Sequence, residues 1–143
     1  MNDPDSEFFQ RWLILWKNID EAYNSELRRA GLSYNEYLLL ESLLASPQGM
    51  EPSALADARG LSRQHVNLLL RQLEAAELIT RTGATIDKRR RIIALAAAGE
   101  EKLQAVKTAW LNLDRAGWAS FAPYERGRIL SLLEHYYANL SES

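Results

Sequence analysis

The chain has 143 residues, 47% of them hydrophobic and 25% charged, with a net charge of −2 and no cysteine. This is ordinary globular composition at a length that suits one domain or a small module with an extension. It leaves no room for disulfides, a thiolate metal site or a thiol redox sensor. The longest apolar run, Ile92–Ala98, falls well short of a bilayer span, and the acidic opening (Asp3, Asp5, Glu7) is no signal segment. The expectation is therefore a soluble, cytoplasmic protein with no membrane partner.

The first helix is predicted from about Asp5 to Ala30. Phe8, Trp12, Leu15, Ile19, Tyr23 and Leu27 recur at steps of three and four, which makes one apolar stripe. Gly31 is placed to end it. Ser33-Tyr34-Asn35-Glu36 reads as a capping box opening a second helix through Tyr37, Leu40, Leu43 and Leu44, which stops near Ser46–Gly49. Pro52 suits the first turn of a short third helix ending at Ala58, although Glu51 is a poor cap. Gly60-Leu61-Ser62 is then a turn, and Arg63–Glu77 a longer amphipathic helix with Ser62 as its N-cap and Val66, Leu69, Leu70 and Leu73 as its buried stripe.

Two short strand-like runs follow, Leu78–Arg81 and Arg90–Leu95, around a polar tip, Thr82–Arg89. Gly99 precedes a long helix with Leu103, Val106, Trp110 and Leu113 in register, running to about Phe121 with Gly117 as its weak point. Pro123 opens a last helix striped by Ile129, Leu132, Leu133, Tyr136, Tyr137 and Leu140. The fold class expected is mainly α with a small β-hairpin wing: a winged helix-turn-helix over 33–98, with helical dimerisation regions at 1–32 and 99–143. The terminal helices carry more apolar surface than a body of this size can cover, and a second copy of the chain is the simplest cover.

Charge is distributed unevenly. From Arg59 to Arg91 eight basic residues face three acidic ones, a net of +5, so the remainder carries −7. A basic module on an acidic body presents one face to phosphates. Its centre coincides with a helix that can enter a major groove and a hairpin that can reach the adjacent groove, which is the geometry of a DNA reader. On the open face of the recognition helix, Gln64 and Asn67 are the expected base-edge contacts. Arg63 or His65 would touch bases or phosphate, and Arg71 phosphate. Ser62 leaves the helix N-terminus facing a phosphate. At the tip, Arg89 suits a narrow minor groove, with Asp87 fixing its direction and Lys88, Arg90 and Arg91 on phosphates. Strand alternation sends Arg90 and Arg91 to opposite faces.

This order of elements resembles the MarR family of bacterial winged helix-turn-helix transcription regulators, over about Phe8 to Leu140. The specific residues are Leu55-Ala56, Gly60-Leu61-Ser62, Val66, Leu69, Leu73-Glu74, Leu78-Ile79 and Arg81, then Asp87-Lys88-Arg89-Arg90-Arg91-Ile92, similar to the family's Asp-x-Arg wing signature, and Leu95–Gly99. Ser33–Leu40 is similar to its second-helix opening. Two positions depart: Glu77 stands where the family usually has Gly, and Ala96 where a Thr often caps the next helix.

The resemblance implies a homodimer on a pseudo-palindromic double-stranded operator, acting as a repressor. It also implies a small aromatic effector bound between the dimer helices and the winged module, where Trp12, Trp16, Tyr37 and Trp110 would line the cleft. No cofactor, metal site or enzymatic activity is expected: His65 and His135 lie on different helices, and no carboxylate is placed to orient either as in a triad. The rival reading is a winged-helix module that binds protein partners and not specific DNA. The basic tip and the polar face of Gln64 and Asn67 weigh against it.

Overall fold

A computed structural model describes residues 3–83 and 91–143. Six helices and a hairpin follow in the order α1 (Pro4–Arg29), α2 (Tyr34–Leu44), α3 (Pro52–Arg59), α4 (Arg63–Ala75), β1 (Ile79–Gly83), β2 (Arg91–Leu95), α5 (Ala97–Trp118) and α6 (Pro123–Ser141). The chain divides into two compact units, Met1–Ala109 and Trp110–Ser143, with the boundary inside α5.

In the first unit, local chemistry sets each helix end. The Asp3 carboxylate accepts from the Asp5 amide (3.3 Å) at the start of α1. That helix closes where Leu32 N–H donates to Leu27 carbonyl (3.0 Å) across Gly31, at φ +73°. The Lys102 ammonium of α5 donates to the Ala30 carbonyl at the same end (2.6 Å), where the helix dipole is negative. The predicted capping box is present: Glu36 N–H donates to Ser33 Oγ (3.1 Å) and Ser33 N–H to Glu36 Oε1 (2.9 Å). Glu51, at the N-cap of α3, makes no side-chain cap.

The core is built from Leu39, Leu40 and Leu43 of α2, Leu55 and Ala56 of α3, Val66, Leu69, Leu70 and Leu73 of α4, and Leu78, Ile79 and Ile93 around the hairpin. Leu103 and Val106 of α5 complete it, together with Leu27 and Leu32. Only the Leu27 end of the α1 stripe is buried. Phe8, Leu15 and Ile19 lie exposed.

Strands β1 and β2 pair antiparallel from Ile79↔Leu95 to Gly83↔Arg91. The first strand thus runs two residues further than the sequence predicts, through Thr82 and Gly83, because both find ladder partners in Ile92 and Arg91. On the other side of β2, Met50 and Ile93 exchange both backbone hydrogen bonds at 2.8 Å. That bridge binds the loop before α3 to the hairpin.

The end of α4 answers the question raised by Glu77. The helix stops at Ala75, and Glu77 takes a left-handed φ of +61°, the conformation glycine would adopt freely. Leu78 N–H then donates to Leu73 carbonyl (3.0 Å) and Glu77 N–H to Glu74 carbonyl (2.9 Å), which satisfies the last turn of α4. Gly99 is required for a different reason: a Cβ there would lie 2.1 Å from the Leu78 carbonyl oxygen and 2.8 Å from Leu95 Cδ1.

In the second unit, α5 ends at Trp118, earlier than expected. The Trp118 indole N–H donates to Asp114 (2.9 Å), and its ring packs edge-on against Phe121 at 5.3 Å. Ala122 N–H donates to Glu125 Oε1 (2.9 Å) as α6 begins at Pro123. No residue of α6 is buried.

Two substitutions should shift the urea midpoint in opposite directions. Glu77→Gly relieves the left-handed strain at some cost in chain entropy and should stabilise by about 0.5–1 kcal/mol. Gly99→Ala drives a methyl into the Leu78 carbonyl and should destabilise by about 1–3 kcal/mol. A lower midpoint for Glu77→Gly would mean that the glutamate side chain stabilises this turn.

Candidate nucleic-acid interface

The α4 helix carries two faces of opposite character. Ser62 Oγ accepts from His65 N–H (3.1 Å), which fixes the first turn and leaves other amides of that turn pointing outward. Val66, Leu69, Leu70 and Leu73 are all buried, as their spacing predicts. Their burial turns Arg63, Gln64, Asn67 and Arg71 out to solvent, while His65 sits half-buried at the edge of that face. Gln64, Asn67 and Arg71 follow one another at steps of three and four and share one ridge. Arg71 Nε lies 3.4 Å from the Asn67 carbonyl, a long contact that lays the guanidinium along the ridge. Leu68, which the sequence reading left out, stands on the same face and is 50% exposed. Its signal was available: it is the one apolar residue of α4 outside the buried stripe, apart from helix-terminal Ala75.

The wing begins at β1 and β2. Arg81 Nε donates to Glu74 Oε2 of α4 at 2.9 Å, an ion pair between strand and recognition helix that periodicity did not reveal. Register places Arg91 opposite Gly83 and on the same side of the hairpin as Arg81 and Ile93. Arg91 is exposed. Asp87, Lys88, Arg89 and Arg90 lie outside the described residues.

The four aromatic residues expected to line an effector cleft have different surroundings. Trp12 and Trp16 meet edge-on, with centroids 5.5 Å apart and planes at 88°, and Phe8 stacks on Trp12 at 6.1 Å. A groove along α1 is bounded by Phe8, Arg11, Trp12, Ile14, Leu15 and Asn18, so only Trp12 of the four faces it. Tyr37 is 5% exposed in the core of the first unit, and its hydroxyl donates to Glu41 Oε2 at 2.5 Å. Trp110 is half-buried and belongs to the second unit. Among the described residues no three His, Asp or Glu side chains gather as metal ligands, and no helix is long and apolar enough to cross a membrane.

Comparison with known proteins agrees with this geometry. Residues 30–90 match the model of the MarR family. Over those residues the chain is similar to that family. A candidate transcriptional regulatory protein for the hcr operon of Thauera aromatica is 29% identical over 113 residues, 79% of this chain and 68% of that one. Among solved structures, a point mutant of S. aureus MepR superposes with a TM-score of 0.82 at 21% identity, over 94% of this chain and 97% of that one. YusO from Bacillus subtilis gives 0.80 at 20% identity over 99% of both chains. The S. aureus MepR–DNA complex gives 0.76 at 21% identity, over 90% of this chain and 96% of that one. These likenesses establish a MarR-type winged-helix fold, and MepR itself is described as a transcription regulator.

Tyr37 supplies a pH prediction. Burial first, and then the hydrogen bond and the negative charge of Glu41, push its phenol well above the ordinary value of 10.0. The folded chain therefore keeps this proton where the unfolded chain releases it. The stabilisation is complete below the ordinary phenol value and is lost as pH rises towards the folded one. Titration followed by phenolate absorbance should leave one of the six tyrosines un-ionised until the chain unfolds in base. The Tyr37→Phe variant should lack that last step. Smooth ionisation of all six in the folded chain would refute the assignment.

Proposed function

We propose that this chain is a dimeric, sequence-specific DNA-binding transcription regulator that acts as a repressor in the cytoplasm. The observation that carries the reading is the ridge of Gln64, Asn67 and Arg71, exposed on a helix whose opposite stripe is buried. The α4 ridge enters the major groove, where Gln64 and Asn67 read adenine edges and Arg63 or His65 reads bases or phosphate. Ser62 at the helix start and Arg71 hold the backbone. Arg89 enters the adjacent minor groove with Asp87 orienting it, and Lys88, Arg90 and Arg91 neutralise phosphates. That MepR has been solved in complex with DNA supports the same placement of this fold.

Residues 33–98 form the DNA-binding part, and 1–32 with 99–143 the dimerisation part. The exposed Phe8, Phe9, Ile14 and Leu15 of α1, and separately Leu130, Leu132 and Leu140 of α6, are apolar side chains that a second copy would bury. Two recognition helices would then lie roughly 34 Å apart and read a pseudo-palindrome. A small aromatic effector held by Trp12, Trp16, Tyr37 and Trp110 would change that spacing and release the operator.

Selection of bound fragments from the source genome, followed by affinity measurements at two salt concentrations, tests the reading. Recovery of a near-palindrome is expected. Gln64→Ala or Asn67→Ala should then cost about 1–3 kcal/mol on that operator and little on random DNA. Arg89→Ala should lower the slope of log affinity against log salt by about 1. Binding that enriches no sequence and vanishes at modest salt would sink the proposal in favour of a protein-partner module.

The dimer is tested separately. Leu15→Glu places a charge on an exposed α1 position without touching the core, so the chain should still fold. Sedimentation equilibrium should show a mass falling from two chains to one. An unchanged dimer mass would remove this part of α1 from the interface.

A further inference from the structure

Among the described residues of the first unit, the exposed large apolar side chains lie on α1, at Tyr34 and at Leu68. The α1 group is seven residues of one helix, and Tyr34 is the first residue of α2. Leu68 is different. It sits at the middle of the recognition helix, four residues after Gln64, beside Asn67 and three before Arg71, on a face that is otherwise polar or cationic. A leucine there gains nothing from the helix itself, because Val66, Leu69, Leu70 and Leu73 already fill the core side of α4.

We propose that Leu68 is a specificity-determining residue that packs against the C5-methyl of a thymine in the major groove. The inference rests on the DNA reading given above and names a chemistry that reading did not assign. A major groove presents base-edge donors and acceptors and one apolar feature, the thymine methyl. Phosphate offers no apolar partner, and the deoxyribose C–H groups are the same at every base, so only the thymine methyl gives a leucine sequence to read. Side chains on a helix lean towards its N-terminus, so Leu68 covers the surface over the turn that holds Gln64. A glutamine amide matched to adenine and a leucine beside it together suit a step rich in A·T pairs, where one strand presents N6 and N7 and the other the methyl. The leucine would raise affinity for thymine over cytosine without a hydrogen bond of its own.

The experiment uses the full chain and the operator recovered by genomic selection. Each thymine is replaced in turn by deoxyuridine, which removes the methyl and leaves every hydrogen-bonding group in place. For the wild-type chain, one thymine per half-site should prove sensitive, with affinity falling about fourfold, the value of one buried methylene-sized group. For Leu68→Ala that position should become insensitive, while the response at other positions is unchanged. Leu68 is half-exposed and alanine is the best helix former, so the variant should keep the wild-type urea midpoint. Identical deoxyuridine profiles for the two proteins would overturn the role of Leu68 and leave the DNA reading standing. Failure to recover any operator would remove the DNA reading, and this inference with it.

Discussion

The backbone N–H and C=O of Leu78 are the junction on which the rest of the module depends. Its N–H closes α4 by donating to Leu73 carbonyl, and its carbonyl accepts from Ala96 N–H at 3.0 Å, where β2 hands over to α5. Gly99 lies directly over that carbonyl, at a distance only a residue without Cβ allows. One residue thus ends the recognition helix, starts the first wing strand and seats the first turn of α5. A buried backbone group left without its partner costs about 1–3 kcal/mol, so none of the three elements can tilt without breaking a bond of that value. The left-handed Glu77 is the strain accepted to make this junction, and the surrounding bonds hold it there.

A second tether, Arg81 to Glu74, joins the strand to the helix further along. Both partners are partly exposed, and such pairs contribute about 0–1 kcal/mol. It can set direction but cannot carry the geometry, which belongs to Leu78. The pair also leaves the electrostatic asymmetry intact: it takes one charge of each sign from the basic window, and the net of +5 remains. Among the described residues of that window, the exposed cations are Arg63 and Arg71 of α4 and Arg91 at the hairpin end.

Most of this architecture was legible because it rests on local rules. The capping box at Ser33 and Glu36, the Ser62 cap, the end of α1 at Gly31 and the four-residue stripe of α4 follow from spacing alone, and each is present. What could not be read depends on contacts distant in sequence or on a choice between two local solutions. Met50 pairs with Ile93 across more than forty residues, and no pattern near Met50 encodes it. Glu77 had two exits, a strained turn or a different helix end. The Leu78 bonds, invisible in the sequence, decide for the strained turn. Strand β1 extends to Gly83 because Arg91 and Ile92 offer partners, whereas Thr and Gly in isolation read as loop. Leu68 is the leucine left over once the four-residue stripe of α4 is complete, and helical spacing alone does not say what it meets.

The surfaces this chain leaves unfinished are of two kinds, and their chemistry keeps them apart. The α4 ridge is polar and cationic, so the polyanion binding proposed for it weakens as salt rises. Helices α1 and α6 each carry exposed apolar side chains, and added salt does not weaken the drive to bury them. A partner suited to one therefore gains nothing at the other. They are nonetheless mechanically linked within the first unit. The Lys102 ammonium holds the end of α1 three residues beyond Gly99, so the first turns of α5 carry both the α1 attachment and the seat of Leu78. Any displacement of α1 against the winged body must break the Lys102 bond or move α5. Moving α5 presses on the carbonyl that fixes the end of the recognition helix.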